Sequence, residues 1–107
     1  MYLQVLTTID DERRAEEIAK TLVERRLAAC VQVIGPITST YWWKNRVEGS
    51  REWILIIKSR EELYDELEKM IRRLHSYEVP EIIAIPITRG SREYLKWIDE
   101  ELRCIER

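Results

Sequence analysis

The stretch His75-Ser76-Tyr77-Glu78-Val79-Pro80-Glu81 concentrates groups able to do chemistry: the only histidine of the chain, a phenol and two carboxylates at a proline-marked turn. A neutral imidazole and a carboxylate suit Zn²⁺ or Cu²⁺, which makes His75 and Glu81 the candidate metal ligands. One chain supplies too few such donors for a closed four-coordinate site, so a metal would need donors from further copies. The other reading is structural. A solitary histidine at a helix C-terminus is favoured there when protonated, and a turn needs polar residues in any case. The residues alone leave both readings open.

Other chemistry is scarce. Cys30 sits in an apolar run and Cys104 near a helix end, without a C-x-x-C pair, so both are expected to be reduced packing residues. With only three glycines there is no phosphate-cradling loop, and Cys30 has no histidine near it in sequence, so the chain is not expected to be an enzyme. Tyr41-Trp42-Trp43 form an aromatic surface suited to recognition, most simply of another copy, with Trp53 across the hairpin as a pairing partner.

The 107 residues suffice for one domain, 1–107, with a single core. Charged residues make up 36% of the chain, but their signs interleave and the net charge is only −2. That argues against a nucleic-acid groove, which would want a basic excess collected on one face. No apolar run approaches the ~20 residues that span a bilayer, and the N-terminus enters a strand pattern at once, so a cytoplasmic protein without membrane association is expected.

These groups need elements to position them. Residues 2–8 read as a strand, after which Asp10 is a plausible N-cap. Ala15, Ile18, Ala19, Leu22 and Val23 then recur at helical spacing, with Arg25 and Arg26 in the expected last turn. From Ala28 to Trp43 there is no charge, and β-branched and aromatic residues predict a long strand bent at Gly35-Pro36. Residues 44–51 read as a polar turn, and Glu52 to Lys58 as the returning strand of a long hairpin. Ser59 and Glu62 form a capping-box pattern before a helix marked by Leu63, Leu67, Met70, Ile71 and Leu74. A strand through Pro86 follows, then a third helix from Gly90-Ser91 with Leu95, Ile98, Leu102 and Ile105 on one stripe.

The order β-α-β-β-α-β is that of an α+β, ferredoxin-like split βαβ sandwich, here with an extra C-terminal helix. Its usual strand order, 4-1-3-2, puts Pro36 and Pro86 in edge strands, where proline is tolerated. It also leaves the uncharged second strand as an unprotected edge, an invitation to pair with another copy.

Three segments together resemble the CutA family of divalent-cation tolerance proteins. They are Leu22-Val23-Glu24-Arg25-Arg26-Leu27-Ala28-Ala29-Cys30-Val31, Tyr41-Trp42-Trp43 with Ile56-Ile57-Lys58-Ser59, and the His75–Glu81 stretch with Tyr94-Leu95-Lys96-Trp97-Ile98. The resemblance implies a tight homotrimer, similar to PII signalling proteins, in which the hairpin embraces a neighbour. It further implies an inter-subunit cleft lined by Lys58, Tyr77 and Glu81, and a trimer interface that includes Tyr41, Trp42, Trp43 and Trp53. The functions it implies are metal-stress tolerance with binding of copper or another divalent cation and no organic cofactor, or alternatively a signalling adaptor taking a small ligand at the cleft. Ser76 stands where the family usually has proline, and Asn45 where it has glycine. Thr7 and Leu74 occupy the places of a cysteine and a second histidine proposed as copper ligands in some members, so that Glu81 alone is retained from that set, with His75 as a substitute.

Overall fold

A computed structural model describes residues 1–104 of the chain. Strand β1 (Tyr2–Ile9) leads to helix α1 (Glu12–Glu24), strands β2 (Cys30–Trp43) and β3 (Arg46–Arg60), helix α2 (Tyr64–Leu74), strand β4 (Ile82–Ile87) and helix α3 (Arg92–Glu101). The four strands form one antiparallel sheet in the order β2-β3-β1-β4, so the expected ferredoxin-like arrangement is the one found. Pro36 and Pro86 do fall in the two outer strands, where a missing N–H costs no ladder bond to a further strand.

Alternation along the strands separates two faces. Val5, Leu55 and Ile57 point into a core closed by Ile18 and Leu22 of α1, Leu67 and Ile71 of α2 and Ile98 of α3. The helical periods read from the sequence therefore point where expected, except that Val23, at the edge of the α1 stripe, is exposed; Ile105 lies outside the described residues. α3 crosses the end of the sheet where Tyr2 donates to Asp99 and Arg60 pairs with the same carboxylate at 2.9 Å. The opposite face carries Leu6, Ile34, Ile54, Ile56, Ile83 and Ile85, none of which belongs to that core. Ile34, Ile83 and Ile85 are 50%, 47% and 44% exposed. No helix among the described residues is long and apolar enough to cross a membrane.

Several local expectations are corrected. Asp11, not Asp10, caps α1, its carboxylate accepting from the Arg14 N–H at 3.2 Å. α1 ends at Glu24, so Arg25 and Arg26 follow its last turn. Arg26 turns the chain with φ 58° and reaches Glu101 at 3.2 Å. Ser59 is no helix cap: it ends the buried face of β3 and donates to the Leu27 carbonyl at 2.7 Å, while Arg60 precedes a short 3₁₀ turn, Glu61–Leu63, without a side-chain cap.

The hairpin is longer than expected. Lys44 and Asn45 alone form the turn, with φ 49° and 64°, the paired left-handed conformation of a tight two-residue connection. Residues 46–51, read as a polar turn, are instead strand, pairing from Trp43↔Arg46 to Thr38↔Arg51. Their polarity suits an arm with solvent on both sides, where backbone bonds do the holding. Between Ile34 and Ile37 the register shifts, as Gly35-Pro36 predicted. A side chain at Gly35 would overlap the Trp53 ring, so glycine is needed there for close approach.

Candidate functional site

The chain leaves α2 at His75, whose N–H still bonds the Ile71 carbonyl at 2.9 Å while its backbone is already extended. The imidazole is buried, and both nitrogens are used. Nε2 lies 2.7 Å from the Thr8 carbonyl and Nδ1 accepts from the Tyr77 N–H at 3.0 Å. A carbonyl accepts and an N–H donates, so the tautomer that serves both partners is the neutral one with its proton on Nε2. His75 thus ties the loop after α2 to the end of β1. The helix-end reading therefore holds in place, but its basis is hydrogen bonding of the neutral ring rather than a charge on the dipole.

His75 also orients Tyr77, whose ring meets the imidazole edge-on at 4.6 Å between centroids. The Tyr77 hydroxyl donates to Glu52 Oε2 at 2.7 Å. Glu52 opens the sheet-bound part of β3 and is only 5% exposed. Tyr77 and Glu52 border a pocket of about 520 Å³ between the hairpin arm and the loop, lined also by Thr8, Tyr41, Trp42, Trp43, Val79 and Glu81. Burial first, and then the Glu52 carboxylate, hold the Tyr77 phenol well above its ordinary range, with Asp10 adding negative charge.

That shift has a sign that can be tested. Folded Tyr77 keeps its proton past pH ~10, where an unfolded tyrosine loses it, so its stabilisation is complete below about pH 10 and is lost as pH climbs through the raised value. Urea unfolding of Tyr77→Phe should show a shallower alkaline decline than the wild type. Tyr64, pushed up to about 12 by burial and Glu68, keeps part of the decline in both. At neutral pH the same variant should lose about 1.5–3 kcal/mol, because Glu52 loses its hydrogen-bond donor. An unchanged decline would remove the Tyr77–Glu52 pair from the energetics.

The sequence-derived site residues divide. Tyr77, Glu81, Tyr41, Trp42 and Trp43 meet at the pocket. His75 stands behind it, positioning Tyr77. Lys58 does not join them within one chain: it lies further along β3, opposite Gln4 of β1, and its ammonium donates to Gln32 at 3.0 Å. An ion pair between Lys58 and Glu81 on neighbouring strands is excluded by the topology, since β1 separates β3 from β4. Trp53 does not face the aromatic triplet either. Its cross-strand neighbour is Ile9, and it packs against the core, whereas Tyr41, Trp42 and Trp43 oppose Glu48, Val47 and Arg46.

Thr7 is fully buried on the helix-side face and Leu74 is half-buried, so neither lines the pocket. Among the described residues no group of three or more His, Cys, Asp or Glu side chains could hold a metal ion. Cys30 and Cys104 are free thiols. Sequence reasoning missed Glu52. The available signal was a carboxylate at the first position of an otherwise apolar strand run.

With sheet order, hairpin and pocket in place, comparison with known proteins defines the class. The family described as CutA1 divalent ion tolerance protein matches residues 3–101. A divalent-cation tolerance protein CutA from Thermus thermophilus is 45% identical over 96 residues, covering 90% of this chain and 93% of its own. Human protein CutA is 44% identical over 91 residues, 85% of this chain and 51% of its own. Among solved structures, the Thermus thermophilus protein superposes with a TM-score of 0.94 at 43% identity, covering 96% of this chain and all of its own. A structure from Archaeoglobus fulgidus, described as a periplasmic divalent cation tolerance protein CutA, gives 0.93 at 42% identity, covering 96% of this chain and 100% of its own. The chain belongs to the CutA1 divalent-ion-tolerance family.

Proposed function

We propose that this chain is the subunit of a cytoplasmic homotrimer that binds a divalent transition metal, copper or a related ion, in a metal-stress role, acting by binding and not by catalysis. The observation that carries the metal reading is the Glu52 carboxylate, 5% exposed, facing a pocket with Glu81 and paired with no cation among the described residues. A buried carboxylate of this kind calls for a positive partner. The donors offered are oxygens, which suit a hard or borderline ion; a copper site would gain a nitrogen from His75 only if Nδ1 gave up the Tyr77 N–H. Trimerisation is supported by the apolar sheet face and by the uncharged edge of β2, both of which a neighbouring copy would cover. The free thiols support a reducing compartment.

Titration calorimetry with Cu²⁺, Zn²⁺ and Mn²⁺ tests the metal, and sedimentation equilibrium the assembly. Saturable binding weakened about tenfold or more by Glu81→Gln is expected, with a mass three times 12.9 kDa. Isotherms that Glu81→Gln leaves unchanged would remove the pocket as the metal site, and a stable monomer at micromolar concentration would remove the trimer. A second reading, a PII-like adaptor taking a small ligand at a cleft, is favoured by the volume of about 520 Å³ and the aromatic walls, which exceed what one ion requires.

A further inference from the structure

We propose that the pocket between the hairpin arm and the loop after α2 binds a small organic cation through a group that carries N–H donors, a guanidinium or a primary ammonium. This rests on the small-ligand reading of the pocket and names the chemical class of the ligand.

The floor of the pocket sets the charge. Glu52 is 95% removed from solvent by its neighbours, yet its one hydrogen-bond partner among the described residues is the neutral Tyr77 hydroxyl at 2.7 Å. A carboxylate offers about four acceptor sites, so most of this buried acceptor's capacity is unused. The arginines that form ion pairs among the described residues are Arg26, Arg60, Arg72 and Arg103, and none of them pairs with Glu52 or Glu81. Glu81 adds a second carboxylate at the lining, and Asp10 contributes to the negative potential felt by Tyr77.

The walls set the shape. Tyr41, Trp42, Trp43 and Tyr77 supply aromatic surface, and ring faces attract cations, Trp most strongly. Lys44 already lies over the Trp43 ring at 5.8 Å, so this arm holds a cation against an aromatic face within its own chain. A planar guanidinium combines stacking on such rings with a forked pair of hydrogen bonds to a carboxylate. A quaternary ammonium could use the rings but has no hydrogen to give Glu52. A bare divalent ion could use the carboxylates but leaves the rings and most of the volume unemployed. The volume, about 520 Å³, lies within the range of small-molecule sites.

The test is calorimetry on the full chain in its native assembly, with agmatine, choline and Mn²⁺ as probes. Agmatine should bind saturably and at least about tenfold more tightly than choline, whose ammonium has no N–H and whose single hydroxyl cannot match the forked N–H pair a guanidinium offers Glu52. Glu52→Gln should weaken agmatine by at least about tenfold and Glu81→Gln by less. Should Glu52→Gln fail to fold, Glu81→Gln and Trp42→Ala carry the test, because Glu81 is exposed and Trp42 is 73% exposed; each should weaken agmatine severalfold. Equal affinity for agmatine and choline, or indifference to these substitutions, overturns the proposal. So does the absence of agmatine binding where Glu52→Gln also loosens the assembly, which would assign the carboxylate to an arginine or lysine of a neighbouring copy. Mn²⁺ binding sensitive to Glu81→Gln without any agmatine binding leaves the metal function standing and removes the organic cation; the converse result removes the metal.

Discussion

His75→Ala is expected to destabilise the chain by about 2–4 kcal/mol, while the proposed metal binding, measured per folded chain, stays unchanged. The ring is 8% exposed and serves two backbone groups from distant parts of the chain, the Thr8 carbonyl at 2.7 Å and the Tyr77 N–H at 3.0 Å. Removing it strands both, and a buried unsatisfied backbone group costs about 1–3 kcal/mol. For a domain of this size each kcal/mol lowers the melting temperature by about 4–8 °C, so the effect is well outside error. The loop carrying Tyr77 loses one of its ties to the end of β1, while the Tyr77–Glu52 hydrogen bond and every carboxylate of the pocket remain. His75→Gln, whose amide can reach toward the Thr8 carbonyl as Nε2 does, should recover part of the loss. Urea unfolding at fixed protein concentration measures both variants. A stable His75→Ala that has lost a stoichiometric metal would reverse the assignment and make the ring a ligand.

Ile83→Lys is expected to convert the proposed trimer to monomers. Ile83 lies on β4 opposite Leu6, on the sheet face that carries no part of the core, and is 47% exposed in the isolated chain. A lysine there disturbs the monomer little, since substitutions at such positions usually stay within about 0.5 kcal/mol. Inside an interface the same ammonium is desolvated without a partner, at a cost of several kcal/mol per charge, and a trimer contains it three times. Sedimentation velocity should therefore show the mass falling toward 12.9 kDa. Val23→Lys, on α1 at 41% exposure and away from this face, should leave the mass unchanged. An Ile83→Lys protein that sediments as the wild type would show that copies do not meet through this sheet face.

The two variants mark where sequence reading succeeds. Patterns local in the chain were legible. The spacing of Ala15, Ile18 and Leu22, and of Leu67 and Ile71, specified which side of each helix is buried, because 3.6-residue periodicity is a property of neighbours in sequence. Gly35-Pro36 announced the register shift in β2, and the two strand prolines selected the outer strands, because a residue without an N–H cannot occupy the centre of a ladder. Where competing local signals were offered, tertiary contacts chose between them. Ser59 has the spacing of a helix cap, but the Leu27 carbonyl, 32 residues away, takes its hydroxyl. Residues 46–51 have the polarity of a loop, but the left-handed pair Lys44-Asn45 completes the turn by itself and the remainder pairs as strand.

The site shows the same division. By itself the sequence determined that the polar residues of 75–81 lie between α2 and β4, and that the aromatic triplet lies near the tip of the β2–β3 hairpin. Their meeting in one pocket was decided by the path of the loop over the end of β1. The role of His75 was decided by a backbone carbonyl 67 residues away, and every residue has such a carbonyl, so no side-chain pattern announces it. Glu52 was passed over for a related reason. A glutamate at the start of a strand reads as solvated until Tyr77, 25 residues later in the chain, is seen to cover it. Residue type and spacing prescribe what a segment can become; which buried acceptor receives which donor depends on distances that exist only once the sheet has closed.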